Sequence, residues 1–232
     1  MRKPQSMRAL EELGRVRLSE NFFMRDFLHS EIASFYGMQN IPDDPDLAIM
    51  AGTKLCEAAL EPLYRRFGRI SIRSAYRSPE VNRFGNQHNL NCGNNESNFG
   101  GHIWDRRTAK GEIGACATII VHALLPWYER TGQWEAVAWW IHDHLPYDDL
   151  EFFPKLAAFN YAHGDRQRRR IRSYIPPRRG VLTKAGMHGP DTRYTSTITS
   201  KHAFKVNTRY TVRLKIAGQQ DIVRKIKLID AR

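Results

Sequence analysis

The sequence predicts an α+β protein, because helical and strand patterns follow one another along a single chain. Three stretches carry that expectation. Residues Pro45 to Phe67 repeat apolar side chains (Leu47, Met50, Leu55, Ala58, Ala59, Leu63 and Phe67) near a 3.6-residue period, the pattern of a long amphipathic helix. Pro62 predicts a kink within it, and Gly68 ends it. Directly after, GRISIRS sends Ile70 and Ile72 to one side and Ser71 and Arg73 to the other, as in a half-buried strand. From Tyr194 to Ile229, the segments TSTITS, RYTVRLKIAG and IVRKIKLI alternate β-branched residues between turn residues, which predicts a few antiparallel strands.

The remaining elements fall between these. Residues 5–14 read as a helix, and in LSENFFMRDF Ser19 is placed to cap a short helix with Phe22, Phe23 and Phe27 on one side. Residues Gly85 to Gly101, with five Asn between 86 and 95, read as a long loop, a feature that inside a compact domain usually serves function. A helical stretch is expected from Tyr128 to His142, and LPYDDLEFFPKLAAFNYAH mixes strand and helix signals. RQRRRIRSYIPPRRGVL reads as a basic strand followed by a rigid Pro-Pro turn. The expected organisation is a lead-in over 1–17, a main domain over 18–175 and a basic, β-rich extension over 176–232.

The 232 residues include 11 Phe, 9 Tyr and 5 Trp, ample for a core that needs no disulfide staples. Cys56, Cys92 and Cys116 form no C-x-x-C pair, so reduced cysteines with two of them buried are expected. The longest apolar run, Ile113 to Trp127, contains His122 and falls short of the roughly 20 residues that cross a bilayer, so no membrane span is expected. The basic N-terminus lacks the apolar stretch of a secretory signal, which suits a cytoplasmic or phage-associated protein. Charge is uneven: the net +12 divides into −2 over residues 1–163 and +14 over 164–232. A segment this basic suits a polyanionic surface, with nucleic acid as another partner and simple solubility as the alternative. Its densest run, Arg168, Arg169, Arg170 and Arg172, is expected to carry much of such binding.

LSENFFMRDF, LEPLYRRFG and ISIRSAYRSPEVN, in that order, resemble the motifs "L-S-x-N-F-x-x-x-E/D-F", "L-x-P-x-R-x-x-F-G" and "S-G-Y-R-S-x-x-x-N" of the zinc D-alanyl-D-alanine peptidase family. LPYDDLEFF and AFNYAHGDRQRRRI are similar to that family's later "L-P-F-D-Q-L-I-x-E" and "W-V-H-V-S" stretches, so the resemblance spans Leu18 to Ile171. It implies a Hedgehog/DD-peptidase type of α+β fold, a small antiparallel sheet flanked by helices, with zinc in a cleft that cuts peptidoglycan stem peptides. One departure concerns the metal. The family's first two ligands come as "S-x-H-x-x-G-x-A-x-D-I", and GEIGACATI places Gly111 and Thr118 there.

A catalytic zinc needs three protein ligands, an open position for water and a carboxylate base. SNFGGHIWD offers His102 and Asp105 as substitute ligands, the resemblance makes His163 the third, and Glu151 stands two residues from the family's glutamate position. His102 as a loop histidine, with Asp105 pairing Arg106 or Arg107, is the structural alternative. Arg77, in SAYRSPEVN, is suited to clamp a substrate carboxylate or a tetrahedral oxyanion, or else to bond turn carbonyls. His142 and His144 project to one side if extended and could share a metal, whereas at a helix C-terminus they meet the negative end of its dipole. Two functions follow: a zinc-dependent peptidoglycan peptidase, of phage or host, and a catalytically inactive peptidoglycan-binding or assembly protein on the same fold.

Overall fold

The computed structural model describes residues 1–187 and, past them, the two-residue strands Lys205–Val206 and Tyr210–Thr211. In chain order the helices are α1 (Met7–Gly14), α2 (Glu31–Phe35), α3 (Pro45–Leu55), α4 (Glu61–Phe67), α5 (Pro79–Gln87), α6 (Asn95–Asn98), α7 (Leu125–Thr131) and α8 (Glu135–His144). The strands are β1 (Ile70–Ser74), β2 (Gly114–Val121), β3 (Asp149–Phe152), β4 (Phe159–Gly164), β5 (Arg170–Ser173) and β6 (Gly180–Thr183), joined in one sheet of order β1-β2-β4-β3-β5-β6. The α+β class is therefore observed, but the sheet is mixed rather than antiparallel, because β5 runs parallel to β3.

The long helix forms as its periodicity indicates, in two parts. Asp44 caps α3 by accepting the Leu47 N–H at 3.0 Å, with Pro45 at the first helical position. A π-turn over Cys56–Leu60 then leads into α4. The wider turn lies just ahead of Pro62, whose ring has no N–H and would crowd the carbonyl four residues back in a regular helix. Glu61, buried at that junction, accepts hydrogen bonds from Ser19 Oγ at 2.8 Å, the Asn21 N–H at 2.7 Å and Asn21 Nδ2 at 2.8 Å. Ser19 thus ties the segment ahead of the Met24–Phe27 turn to α4 instead of capping a helix. The short 3-10 turn Met24–Phe27 is capped by Asp26, which accepts the Phe23 N–H, and Phe22 and Phe27 are buried while Phe23 is exposed.

The expected long loop is partly helical, since α5 continues to Gln87 and α6 forms within it. The expected helix over 128–142 is two helices broken at Gly132, whose left-handed backbone ends α7. All eight residues of β2 are buried, as suits an inner strand. Its Ala115, Ala117, Ile119 and Val121 join Leu150, Phe152, Phe159, Tyr161 and Ile171 in a core that also takes Ala48, Ala51 and Leu55 of α3 and Val137, Ala138 and Ile141 of α8. Each large apolar side chain so buried contributes roughly 1.5–3 kcal/mol.

The boundary expected at 176 falls inside the β5–β6 hairpin, so the sheet runs on to Thr183. Leu13 of the lead-in is likewise part of the core. The tail strands expected from Tyr194 lie outside the described residues, apart from the antiparallel pair Lys205–Val206 and Tyr210–Thr211. Among the described residues the buried core cluster spans Leu13 to Ile175. A chain ending at Met187 is therefore expected to unfold cooperatively, near the parent's melting temperature. Calorimetry checks this, and a molten or insoluble product would show that later residues belong to the core.

Candidate functional site

Strand alternation assigns the polar chemistry to one face of the sheet. The register of β2 on β4 sets Ala115, Ala117 and Ile119 beside His163, Tyr161 and Phe159, on the side covered by α3 and α8. The opposite side carries Cys116 and Thr118 from β2, Asn160 from β4 and Asp149 and Glu151 from β3. Where β1 has ended, the segment 99–104 runs beside β2: the Gly101 carbonyl accepts the Cys116 N–H at 2.9 Å, and Trp104 Nε1 donates to the Cys116 carbonyl at 3.1 Å. This crossing brings His102 to the polar face. Its Nδ1 donates to the Ala75 carbonyl at 2.7 Å, and its own carbonyl accepts the Arg77 N–H at 2.9 Å.

A chain of contacts crosses this face. Thr118 Oγ1 donates to Asn160 Oδ1 at 2.6 Å, Asn160 Nδ2 donates to Glu151 Oε2 at 3.1 Å, and Glu151 pairs with Arg172 at 2.9 Å. Burial and the nearby Arg77 guanidinium push the His102 pKa down to about 3, against the opposing bonds to Ala75 and Asn160, so the imidazole is neutral at physiological pH. Burial raises the Cys116 thiol pKa, and Arg77 only partly opposes it. Arg77 Nη1 donates to Cys92 Sγ at 2.6 Å, while its Nε is buried with no hydrogen-bond partner among the described residues. The half-buried guanidinium suits a carboxylate or a similar anion.

The arginine run is engaged in ion pairs and carbonyl bonds within the fold. Parallel pairing of β3 and β5 sets Asp149 beside Arg170 and Glu151 beside Arg172. Arg168 grips Asp148 with Nε at 2.8 Å and Nη2 at 2.6 Å, and Arg170 Nε donates to Asp149 at 3.2 Å. Arg169 points elsewhere, donating to the Leu145 carbonyl at 2.9 Å with its guanidinium 4.4 Å from the centre of the Tyr147 ring.

The residues expected as zinc ligands are not brought together. Asp105 holds the loop before α3, accepting the Asp43 N–H at 2.7 Å with Arg106 at 3.6 Å, and burial raises its pKa. His163, three residues after Asn160, lies on the helix-covered side with Ala115 as its cross-strand partner and the Lys54 and Asp165 charges nearby. Among the described residues no group of three or more His, Cys, Asp or Glu side chains is placed to hold a metal ion. Of the residues singled out, Arg77, His102 and Glu151 share the polar face, and Asp105 and His163 do not join them.

No family model, curated protein or solved structure matches this chain.

His142 and His144 end α8, where His142 Nδ1 meets the Tyr147 hydroxyl at 2.5 Å and His144 stacks on Trp140, the helix-terminal alternative. All three cysteines are free, with Cys56 and Cys116 buried. Asn160 and Cys92 are site residues that the motifs passed over. Alternation along AFNYAHG was the available signal for Asn160, since it places Asn160 and His163 on opposite faces.

Proposed function

We propose that this chain is a catalytically inactive peptidoglycan-binding protein on a scaffold related to the zinc D-alanyl-D-alanine peptidases, with Arg77 on the polar face taking the terminal carboxylate of a stem peptide. The observation that carries this reading is the 2.6 Å bond between Thr118 and Asn160. Thr118 stands where the resemblance calls for a metal-binding aspartate, and its hydroxyl and the Asn160 amide satisfy each other instead of turning out as metal donors. Glu151, the residue suited to activate water, is occupied by Asn160 and Arg172. What remains available is recognition: the half-buried guanidinium of Arg77, the neutral His102 beside it and a polar wall.

Calorimetric titration with a stem peptide ending in D-alanine tests the reading, together with elemental analysis of protein purified in the presence of zinc. Saturable binding without stoichiometric zinc or released D-alanine is expected. Arg77→Ala is expected to weaken binding by roughly 10- to 100-fold, the worth of a charge-assisted hydrogen bond, with little change in melting temperature. Stoichiometric zinc with peptide cleavage would restore the peptidase reading, and absence of binding would remove both.

A further inference from the structure

α2 and α5 meet beside the polar face, and their contact leaves aromatic rings in solvent. Phe35 is 82% exposed and Tyr36 46%. Phe84 of α5 and His88, the residue that ends the helix one turn later, stack with ring centres 3.9 Å apart and planes within 21°, and a hydrogen bond between His88 Nδ1 and the Phe84 carbonyl fixes the imidazole. Tyr36 lies 4.6 Å from Phe84, and Phe35 meets Tyr36 edge-on at 4.9 Å. Exposed rings that hold one another in place form a platform with little left to order on binding.

The chain that follows Phe84 is rich in amides, while Arg83 just before it on α5 is exposed. Residues 84–98 contain six Asn and one Gln, with Glu96 the single acidic or basic residue besides His88. Asn89 and Asn91 both adopt left-handed backbone, at φ 56°, and both are exposed in the turn that follows α5. A nucleic-acid surface would pair rings with cations. A protein-docking surface would show aliphatic side chains, whereas the large apolar residues exposed on α2, α5 and this turn are Phe35 and Tyr36. Flat rings beside uncharged donors and acceptors match a pyranose, which presents a C–H face for stacking and equatorial hydroxyls for amides.

We infer that the Phe35, Tyr36, Phe84 and His88 platform, with Asn89 and Asn91 at its rim, is a saccharide-binding surface for the pyranose rings of a glycan chain. It stands on observations separate from Arg77, although the two are neighbours: Cys92, which receives the Arg77 guanidinium, packs against Gly85 of α5 and is tied to the helix through its carbonyl by Asn86. A polymer of sugar rings bearing peptides would reach both.

The full chain is titrated with chitotetraose, a saccharide that carries no peptide, so the result does not depend on the carboxylate site. Saturable binding is expected, with amide shifts in a proton–nitrogen spectrum concentrated at residues 35–36 and 84–91. The double variant F35A/Y36A, at exposed positions, is expected to keep the parent's melting temperature and to bind at least about tenfold more weakly, while Tyr36→Trp retains binding. No saturation by ~10 mM saccharide, or binding that the double variant leaves unchanged, would overturn the assignment. So would a concentration-dependent dimer abolished by the double variant, which would make a second copy the occupant.

Discussion

Gly114→Ala is expected to lower the melting temperature by roughly 6–12 °C, the shift of about 3 kcal/mol in a protein of this size. A methyl group at Gly114 would lie 2.5 Å from the Gly100 carbonyl oxygen and 3.2 Å from that of His163. Both are backbone atoms, so no side-chain rotation relieves the clash. The opposing residue on β4, Gly164, is equally confined: its added carbon would stand 2.3 Å from the Ile113 carbonyl oxygen. Gly164 lets β4 close against the start of β2, whereas Gly114 lets the segment 99–104 lie against β2, and that segment delivers His102 and the carbonyl that bonds Arg77. The variant is therefore expected to lose ligand affinity along with stability. Gly111→Ala is the control: nothing lies within 4 Å of the added carbon, and its φ of +79° costs only about 1 kcal/mol of backbone strain. A Gly114→Ala protein that melted within ~2 °C of the parent would show that the crossing is looser than described.

How legible the fold was depended on how local each determinant is. The periodicity of Pro45 to Phe67 and the alternation of Ile70 to Arg73 are written in consecutive residues, and both elements formed where they were read. The parallel pairing of β3 with β5 is not local, because nothing in DLEF or RIRS states which neighbour each strand takes. The same lesson separates the site residues. Arg77 stands in a distinctive turn and reached the polar face, whereas His163 was assigned from similarity across a strand in which a shift of one residue reverses every side chain. Asn160, on the same strand, has the polar-face position. The meaning of the arginine run was hidden for a related reason: a count of charges sees four cations, and only the fold shows that Asp148, Asp149 and Glu151 meet three of them, Arg168, Arg170 and Arg172.

Asp148→Asn is expected to remove about 2–3 kcal/mol of stability at pH 7, below the full cost of breaking a buried ion pair because the Arg168 side chain keeps 44% of its exposure. Asp148 is buried and accepts the Arg168 N–H at 3.1 Å as well as the two guanidinium bonds, with Arg166 at 3.4 Å. Burial alone would raise its pKa; the Arg168 hydrogen bonds and the charges of Arg168 and Arg166 outweigh that and hold the carboxyl below its ordinary value. A carboxyl whose pKa is depressed on folding adds stability that is fully present above the unfolded pKa of about 3.9 and is lost as pH falls through the folded value. Urea titrations of parent and variant, run from neutral pH down past ~3, isolate this term. Asp43, Glu61 and Asp165 also have lowered pKa values, but they titrate in both proteins and cancel in the difference. The stability gap is expected to be widest at neutral pH and to close as the solution becomes acid enough to protonate Asp148. A gap that stayed constant across the range would mean that Asp148 acts through its shape and neutral hydrogen bonds rather than its charge, and that Arg168 does not depend on it for its counter-charge.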